Sequence, residues 1–262
     1  MTHEPLKHAR LAACLRARGR APSGVAVFDE IDSTNAWLLA CDDPKVRACV
    51  ADRQRQGRGT RGRAWVSPGG VNAYVSVRAV LRIEHLAGLS LAAGAAVAQG
   101  LAQWGAGDVA LKWPNDLWLE DRKLGGCLIE TRPEQAGEWR VVVGVGLNYG
   151  LDPLTLGAVG QPAADLTERV PWVEGSRHRL VAVVIDALWG LLEDWPARRA
   201  DWLARWSAYD ALYGRPVQWR RGEEELKTGR ALGIDEAGRL RLQSDTESLW
   251  LDVGDVSVRL PI

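Results

Sequence analysis

The sequence shows no excess of charge of either sign, which argues against several classes of protein. Its 262 residues include 33 Lys and Arg against 33 Asp and Glu, so the formal net charge is zero. Proteins that act on DNA usually carry a basic excess. The balance therefore disfavours a DNA-binding regulator, and no DNA partner is expected. With 47% hydrophobic and 25% charged residues, the composition is ordinary for a globular protein.

The sequence also lacks the usual signs of secretion, membrane insertion and metal clusters. Its longest apolar run, residues 86–98, is too short and too rich in glycine to cross a bilayer, so no membrane partner is expected. The basic N-terminal stretch surrounds too small an apolar patch for a signal peptide. The cysteines form no C-x-x-C pair and no cluster with histidine, and are expected to be reduced thiols of a cytoplasmic protein. They are Cys14, Cys41, Cys49 and Cys127.

What the sequence does contain is a stretch rich in glycine and arginine, residues 54–65. Gly57, Gly59 and Gly62 permit tight turns and a close approach of the backbone to a ligand. Guanidinium groups and exposed backbone N–H groups together suit carboxylate or phosphate oxygens. Trp65 closes the stretch and is placed to stack on a base. The arginines are Arg58, Arg61 and Arg63.

Several explanations of this stretch compete. Its glycines fit the G-x-G-x-x-G dinucleotide fingerprint, but the alternating run 71–80 that follows predicts a strand where that fingerprint needs a helix. A kinase glycine loop would require later motifs that are absent, and there is no Walker A sequence. A basic loop that binds nucleic acid without specificity and a plain surface turn both stay open for the stretch taken alone.

Hydrophobic periodicity predicts a chain of mixed secondary structure. Asp32 or Ser33 is a natural N-cap, or alternatively Ser33 and Thr34 present hydroxyls to a polar ligand. Helices are predicted over 6–18, 36–40, 89–104, 178–195 and 198–207, and strands over 25–28, 48–51, 72–81, 109–113, 117–119, 124–130 and 140–145. From residue 214 onward, short strands separated by turns predict a small β-barrel. Those strands are 216–219, 226–232, 240–242 and 249–260, with turns at 221–222, 236–238 and 252–254.

Polar residues follow several of the apolar strands and are expected to share one rim of the sheet. Asn115 and Asp116 suit Mg²⁺, directly or through water, although a simple Pro-Asn-Asp turn explains them equally well. Lys123 lies at a predicted hairpin, and Gly125 and Gly126 after it indicate that something approaches the backbone there. Gln54, Arg58, Lys112 and Asn148 complete the set.

Five motifs, taken in order, resemble those of the biotin protein ligases. They occupy residues 32–35, 54–62, 112–116, 121–126 and 144–148, and the match covers roughly residues 25–207. The segment 214–217 is similar to the start of the SH3-like barrel of that family. The resemblance implies an α+β fold of the class II synthetase-like, biotin/lipoate ligase type. Residues 1–207 would form a mixed sheet flanked by helices, and residues 208–262 the barrel.

The resemblance also implies a reaction. Biotin's carboxylate attacks the α-phosphate of ATP to give biotinyl-5′-AMP, and a lysine of the biotin carboxyl carrier protein of acetyl-CoA carboxylase then attacks this anhydride. Two anions meet in the first step, so cations must offset their repulsion. Some members carry a helix-turn-helix domain ahead of the ligase. Only about two dozen residues precede the first predicted strand here, so the form without that domain is expected.

The resemblance assigns roles to particular residues. Arg58, Lys123 and Asp116 are expected to be catalytic, with Mg²⁺ held near Asp116. The expected substrate-binding residues are Ser33, Thr34, Asn35, Gln54, Gly57, Arg58, Gly59, Thr60, Lys123 and Gly126. The expected nucleotide-binding residues are Trp65, which would stack on adenine, and Lys112, Asn115 and Asn148.

Thr60 departs from the family pattern, which usually has arginine at that position. We expect either that Arg61 takes over or that the adenylate is held less tightly. A lipoate–protein ligase on the same fold is the nearest alternative, but the hydrogen-bonding groups of Ser33, Thr34 and Gln54 favour a ureido ring over a dithiolane. A biotin-responsive DNA-binding regulator is the alternative from another class. The sequence is compatible with a homodimer and does not decide the oligomeric state.

Overall fold

Seven strands form one mixed sheet in the first part of the chain. The computed structural model describes residues 4–158, 160–221, 225–244, 247–253 and 256–261. The strand order is β1-β2-β3-β7-β6-β5-β4. β1 and β2 are parallel, whereas the other neighbouring pairs are antiparallel. The strands are β1 Val25–Ile31, β2 Ala48–Gln54, β3 Ala73–Arg82, β4 Ala110–Lys112, β5 Asp116–Leu119, β6 Arg122–Pro133 and β7 Glu138–Leu147.

Helices cover both faces of this sheet. They are α1 His8–Ala17, α2 Thr34–Ala40, α3 Leu89–Gln103, α4 Pro153–Gly157 and α5 Ser176–Ala208. The two predicted C-terminal helices are one element, α5, whose backbone leaves helical geometry at Arg198, shortly after Pro196. The short α4 was not predicted. In the described part of the chain, no helix is both long enough and apolar enough to cross a membrane.

Strand alternation separates the two faces of the sheet. Odd-numbered valines of β3 and β7 join the main core with α3 and α5. The opposite face meets α2, where Leu38 packs with Cys49 and Val142. Because successive side chains of a strand point to opposite faces, Ser76 and Gly144 fall on the α2 face. The polar site described below lies there.

The C-terminal part forms a second, antiparallel sheet of five strands in the order β11-β10-β9-β8-β12. This agrees with the predicted small barrel, except that the single strand expected over 249–260 is two strands. The strands are β8 Pro216–Arg221, β9 Lys227–Ile234, β10 Leu240–Gln243, β11 Ser248–Leu251 and β12 Val256–Arg259. The predicted turns at Gly222 and Gly254 involve glycines outside the described residues.

The second sheet is seated on the first through a close backbone contact. The buried indole Nε1 of Trp113 donates to the carbonyl of Gly238 at 3.0 Å. A Cβ at Gly238 would lie 3.2 Å from the Cα of Gly88, and its φ is +80°, so glycine suits this position. Arg215 adds a two-bond ion pair with Asp121, with distances of 2.7 and 2.8 Å.

A buried arginine anchors the base of the glycine-arginine stretch. Arg177, at the start of α5, is fully buried and donates to the carboxylate and carbonyl of Asp52 on β2. The same carboxylate accepts the backbone N–H groups of Leu6 and Gly70, each at 3.1 Å. The chain is therefore fixed to the Arg177–Asp52 pair both before and after residues 54–65.

Asp210 lies between α5 and the second sheet and carries a buried carboxyl group. Its Oδ1 accepts the backbone N–H of Leu212 at 2.9 Å. Its Oδ2 is buried and has no hydrogen-bond partner among the described residues. Burial raises the pKa of Asp210 to about 6. Compared with the unfolded chain, the folded state therefore favours the neutral form of Asp210.

Asp210→Asn should stabilise the protein at alkaline pH. The folded pKa of Asp210 exceeds its unfolded value, about 3.9. Stability linked to this proton is therefore fully present below about pH 4 and is lost as the pH rises through 6. We expect the variant to gain about 1–3 kcal/mol in free energy of unfolding at pH 8 and little at pH 4. Urea unfolding at both pH values measures this, with exposed Asp29→Asn as control. An equal gain at both pH values would contradict it.

Candidate active site

A cavity of about 1540 Å³ opens on the α2 face of the sheet. Its walls come from the start of α2, the stretch 54–65 and strands β4 to β7, with residues of the second sheet at one side. Its floor is largely bare backbone. Gly126, Gly144 and Gly146 supply that floor from β6 and β7.

The floor glycines are needed for space. A Cβ at Gly146 would lie 2.7 Å from the indole of Trp65, and a Cβ at Gly144 would collide with the amide of Asn35. A Cβ at Gly126 would sit 3.4 Å from the Asp116 carboxylate. A side chain at Gly144 or Gly146 would therefore displace a wall of the cavity, whereas the Cβ distances at Gly126 are close to ordinary contact.

One end of the cavity is neutral and rich in hydrogen-bonding groups. Ser33 is the N-cap of α2, which confirms one of the two predicted caps, and its hydroxyl accepts from Ala36 N–H. Thr34 donates to the amide oxygen of Gln54 from its backbone N–H at 2.9 Å and its hydroxyl at 3.1 Å. Gln54 in turn donates to the hydroxyl of Ser67 at 3.0 Å. The structure thus brings together the three residues predicted to recognise a ureido ring.

At this end of the cavity, the side-chain amide of Asn35 makes its hydrogen bonds to other protein groups. Its amide N–H groups donate to the carboxylate of Glu130 at 2.9 Å and to the carbonyl of Leu128 at 3.3 Å. Its amide oxygen accepts from the hydroxyl of Ser76 at 2.6 Å. Asn35 is buried and lines the cavity. Its amide contacts indicate that it shapes the wall.

The other end of the cavity is cationic. The carboxylate of Asp116 lies 2.6 Å from the Nζ of Lys123 and 3.7 Å from the Nζ of Lys112. The three side chains are only 13–14% exposed. Burial lowers the pKa of Lys112, and Lys123, Arg63 and Arg259 lower it further through their positive charge. This end is suited to an anion such as phosphate.

From the sequence, Mg²⁺ was expected near Asp116. The side chains around Asp116 do not fit a bare Mg²⁺ ion held by this carboxylate. Mg²⁺ prefers several oxygen ligands, whereas both carboxylate oxygens of Asp116 face ammonium groups. Among the described residues, no group of three or more His, Cys, Asp and Glu side chains is arranged to hold a metal.

Trp65 stands beside the cationic end. The Nζ of Lys123 lies 5.8 Å from its ring centroid. Its indole Nε1 is buried and finds no partner in the described part of the chain. The ring rests against Gly146. This position is compatible with stacking on a base next to a phosphate.

Arg58 is not brought to Lys123. Its guanidinium Nη1 pairs instead with the carboxylate of Glu130, at 3.1 Å. Lys123 and Glu130 lie seven residues apart on β6, a separation of about 23 Å along a strand. Arg58 therefore belongs to the neutral end of the cavity in this structure.

Two further predicted residues lie behind the wall. Asn148 and Gly57 are not among the cavity-lining residues. The amide of Asn148 donates to the carbonyl of Ala164 at 3.0 Å, and its backbone N–H donates to Leu124. Asn115 lines the cavity, but its amide donates to the carbonyl of Cys127 at 2.8 Å. These contacts position β6 and the floor.

Thr60 lies in a short 3₁₀ turn, Thr60–Gly62, at the tip of the stretch. Its hydroxyl accepts from the guanidinium of Arg63 at 3.1 Å. Gly59 N–H donates to the carbonyl of Arg63 at 2.7 Å, so the tip folds back on itself. Gly59 and Thr60 both line the cavity.

Sequence reasoning missed Ser76 and Glu130. Both side chains bond to Asn35. A signal for Glu130 was present, because Gly126, Leu128 and Glu130 alternate on one face of the predicted strand. For Ser76, the sequence predicted the strand, but only the order of strands in the sheet shows which face of the sheet carries its side chain.

Comparison with known proteins yields consistent matches. The family model described as "Biotin/lipoate A/B protein ligase family" matches residues 27–148, and that described as "Biotin protein ligase C terminal domain" matches residues 213–259. The chain is 37% identical over 243 residues to the bifunctional ligase/repressor BirA of Escherichia coli, covering 90% of this chain and 74% of that protein. It is 30% identical to a biotin–[acetyl-CoA-carboxylase] ligase of Mycobacterium tuberculosis, covering 96% and 95% of the two chains.

The solved structures agree at the level of the fold. A biotin protein ligase from Aquifex aeolicus, in complex with biotin and ATP, superposes with a TM-score of 0.74 at 24% identity, covering 91% of this chain and 99% of that one. The α+β architecture with a small C-terminal β-domain is thereby confirmed. The chain belongs to the biotin/lipoate A/B protein ligase family, and within it to the biotin protein ligases.

Proposed function

We propose that this chain is an ATP-dependent biotin protein ligase. It converts biotin and ATP to biotinyl-5′-AMP and pyrophosphate, and transfers the biotinyl group to a lysine of the biotin carboxyl carrier protein of acetyl-CoA carboxylase. The observation that supports this best is the two-ended cavity. A neutral end with Ser33, Thr34 and Gln54 continues over a glycine floor to the cationic end with Lys112 and Lys123.

The neutral end serves to bind the ureido ring. The hydroxyl of Ser33 accepts a backbone N–H and keeps its own hydrogen for a ligand, and Gln54 has a second amide N–H beside the one given to Ser67. A site built from such groups discriminates against an acid that cannot pair with them. This supports biotin over lipoate as the substrate.

The cationic end serves the adenylation step. The biotin carboxylate and the α-phosphate of ATP are both anionic, so their approach requires positive charge that is already in place. Lys123 and Lys112 supply it, and Asp116 holds the two ammonium groups in position. Trp65 would stack on adenine. The buried setting strengthens these interactions relative to water.

Mg²⁺ would enter this site with the phosphates of ATP rather than through Asp116 alone. It would supply charge neutralisation of the phosphates when bound. The chain's own contribution is the paired lysines.

Transfer to the carrier is the second step. The neutral amine of the carrier's lysine attacks the acyl carbonyl, and the bond between acyl carbon and phosphate oxygen breaks. AMP leaves with its charge facing Lys112 and Lys123, and the amine's proton passes to solvent. Arg58 acts on the ring side of the reaction centre. We place the catalytic unit at residues 1–207 and the barrel at 208–262. The four free thiols favour a cytoplasmic setting for the reaction.

Intact-mass measurement tests the proposal directly. The protein is incubated with ATP, Mg²⁺, a carrier domain, and either biotin or lipoate. We expect the carrier to gain one biotinyl group and no lipoyl group. Lipoylation without biotinylation would assign the chain to the other branch of the family, and no modification would reject the ligase activity.

Lys123→Gln should impair adenylation strongly. A charge-assisted hydrogen bond contributes about 1.5–3 kcal/mol, so we expect kcat/KM for biotin-dependent ATP–pyrophosphate exchange to fall about 10- to 100-fold or more. Lys45→Gln, at an exposed lysine that does not line the cavity, is the matched control. A Lys123 variant as active as the control would remove Lys123 from the mechanism.

The lowered pKa of Lys112 should be visible in the pH profile. As Lys112 loses its proton, kcat/KM for ATP should fall. This fall should occur at a pH below the pKa of an ordinary lysine, which is about 10.4. In Lys112→Arg the fall should move to higher pH, because guanidinium stays charged throughout this range. Steady-state kinetics between neutral and strongly alkaline pH measure this. An unchanged position of the alkaline limb would show that another group controls it.

Thr60→Arg should slow the release of biotinyl-AMP. A guanidinium at this position of the loop can add a charge-assisted bond to the phosphate, which would slow dissociation about tenfold. Thr60→Ser keeps the hydroxyl that accepts from Arg63 and serves as the control. The release rate is measured after mixing the preformed complex with excess unlabelled biotin and ATP. Equal rates in wild type and Thr60→Arg would show that Arg61 or another group already does this work.

A further inference from the structure

The ion pair between Arg58 and Glu130 spans the face of the sheet. Arg58 follows β2, whereas Glu130 belongs to β6, and β3 and β7 lie between those strands. Three interstrand spacings amount to about 14 Å. The guanidinium nevertheless lies 3.1 Å from the carboxylate. The stretch 54–65 is thus fastened across the α2 face of the sheet to β6.

The second carboxylate oxygen of Glu130 bonds to Asn35, which lines the cavity. This oxygen, Oε2, accepts from the amide of Asn35 at 2.9 Å. Because a carboxylate only accepts hydrogen bonds, it fixes which end of the Asn35 amide faces it. The amide oxygen of Asn35 is then directed at Ser76, at 2.6 Å. One carboxylate therefore orients both the stretch 54–65, which we call the cover, and Asn35 in the cavity wall.

These contacts belong to one continuous hydrogen-bond network. Ser76 Oγ lies 2.8 Å from Thr34 Oγ1, the backbone N–H of Thr34 donates to Gln54, and Gln54 donates to Ser67. Ser67 lies just beyond the stretch and donates to the carbonyl of Trp65 at 3.0 Å. The stretch 54–65 is held at Arg58 on one side and near Trp65 on the other by a network that passes through the ring-binding end.

We propose that Glu130 is a positioning residue that holds this cover closed over the bound acid through Arg58 and so slows its release. The inference rests on the proposed function, because the acid is biotin. An acid cannot pass the ion pair while it is formed, so binding and release require it to open. Arg58 and Glu130 are 42% and 23% exposed, so the pair is partly screened by water and its effect should be modest.

Glu130→Gln tests the charge without removing the wall contact. The glutamine amide oxygen can still accept from Asn35, while the uncharged side chain no longer attracts Arg58. We expect biotin to dissociate about two- to fivefold faster and to associate faster by a similar factor, because both passages require the ion pair to open. Stopped-flow tryptophan fluorescence with biotin alone measures both rates. Added salt should speed dissociation from the wild type and have little effect on Glu130→Gln.

A matched control removes a similar ion pair outside the cavity. Glu134 follows β6 and pairs with Arg140 at 2.6 Å, so Glu134→Gln should leave biotin dissociation unchanged. If Glu130 acts through Arg58, Glu130→Gln should add nothing in an Arg58→Gln background, because residues of one unit are non-additive. Arg58→Gln alone should also speed dissociation, and it carries the test if Glu130→Gln does not fold.

Three results would overturn the inference. They are equal dissociation from wild type and Glu130→Gln, an undiminished effect of Glu130→Gln in the Arg58→Gln background, and an equal effect of Glu134→Gln. Failure of the wild type itself to bind biotin would instead reject the proposed function, and this inference with it.

Discussion

Asp116 lies between two ammonium groups in a part of the cavity that is largely closed to water, and the chemistry of the site depends on this arrangement. One carboxylate can neutralise only one of Lys112 and Lys123, so the group keeps a net positive charge while each side chain is at most 14% exposed. Unpaired buried charge is unfavourable. An anionic ligand offsets this unpaired positive charge. The protein therefore retains at its functional site a charge that would be unfavourable elsewhere.

The two-residue repeat of the strands keeps this site apart from the core. On β3 and β7, odd-numbered side chains such as Val75 and Val143 join the core with α3 and α5, whereas Ser76 and Gly144 fall on the α2 face, where Gly144 lines the cavity. Glycine weakens a strand interior. Here β7 is paired along its length by β3 on one side and β6 on the other. The sheet can therefore carry a bare floor at its centre without losing the strand.

Local patterns predicted most elements and most of the cavity, but not how its polar groups are paired. The period of the strands, the Ser33 cap and the rim residues Lys112, Asp116 and Lys123 follow from short stretches of sequence. The partner of Arg58 does not, because it depends on β6 lying three places from β2 in the sheet. For the same reason, nothing local shows that Asn148 bonds to Ala164 rather than to a ligand.

The two ends of the cavity lie on one strand, and a single segment covers both. Glu130 and Lys123 are about 23 Å apart along β6, yet the stretch 54–65 reaches the first through Arg58 and the second through Trp65. A ligand that fills only the cationic end makes no contact with the Arg58 end of this segment. A ligand with a neutral ring at one end and an acid at the other engages both. Binding of the unreactive ring then helps to hold the reacting groups together, which is how remote contacts contribute to catalysis.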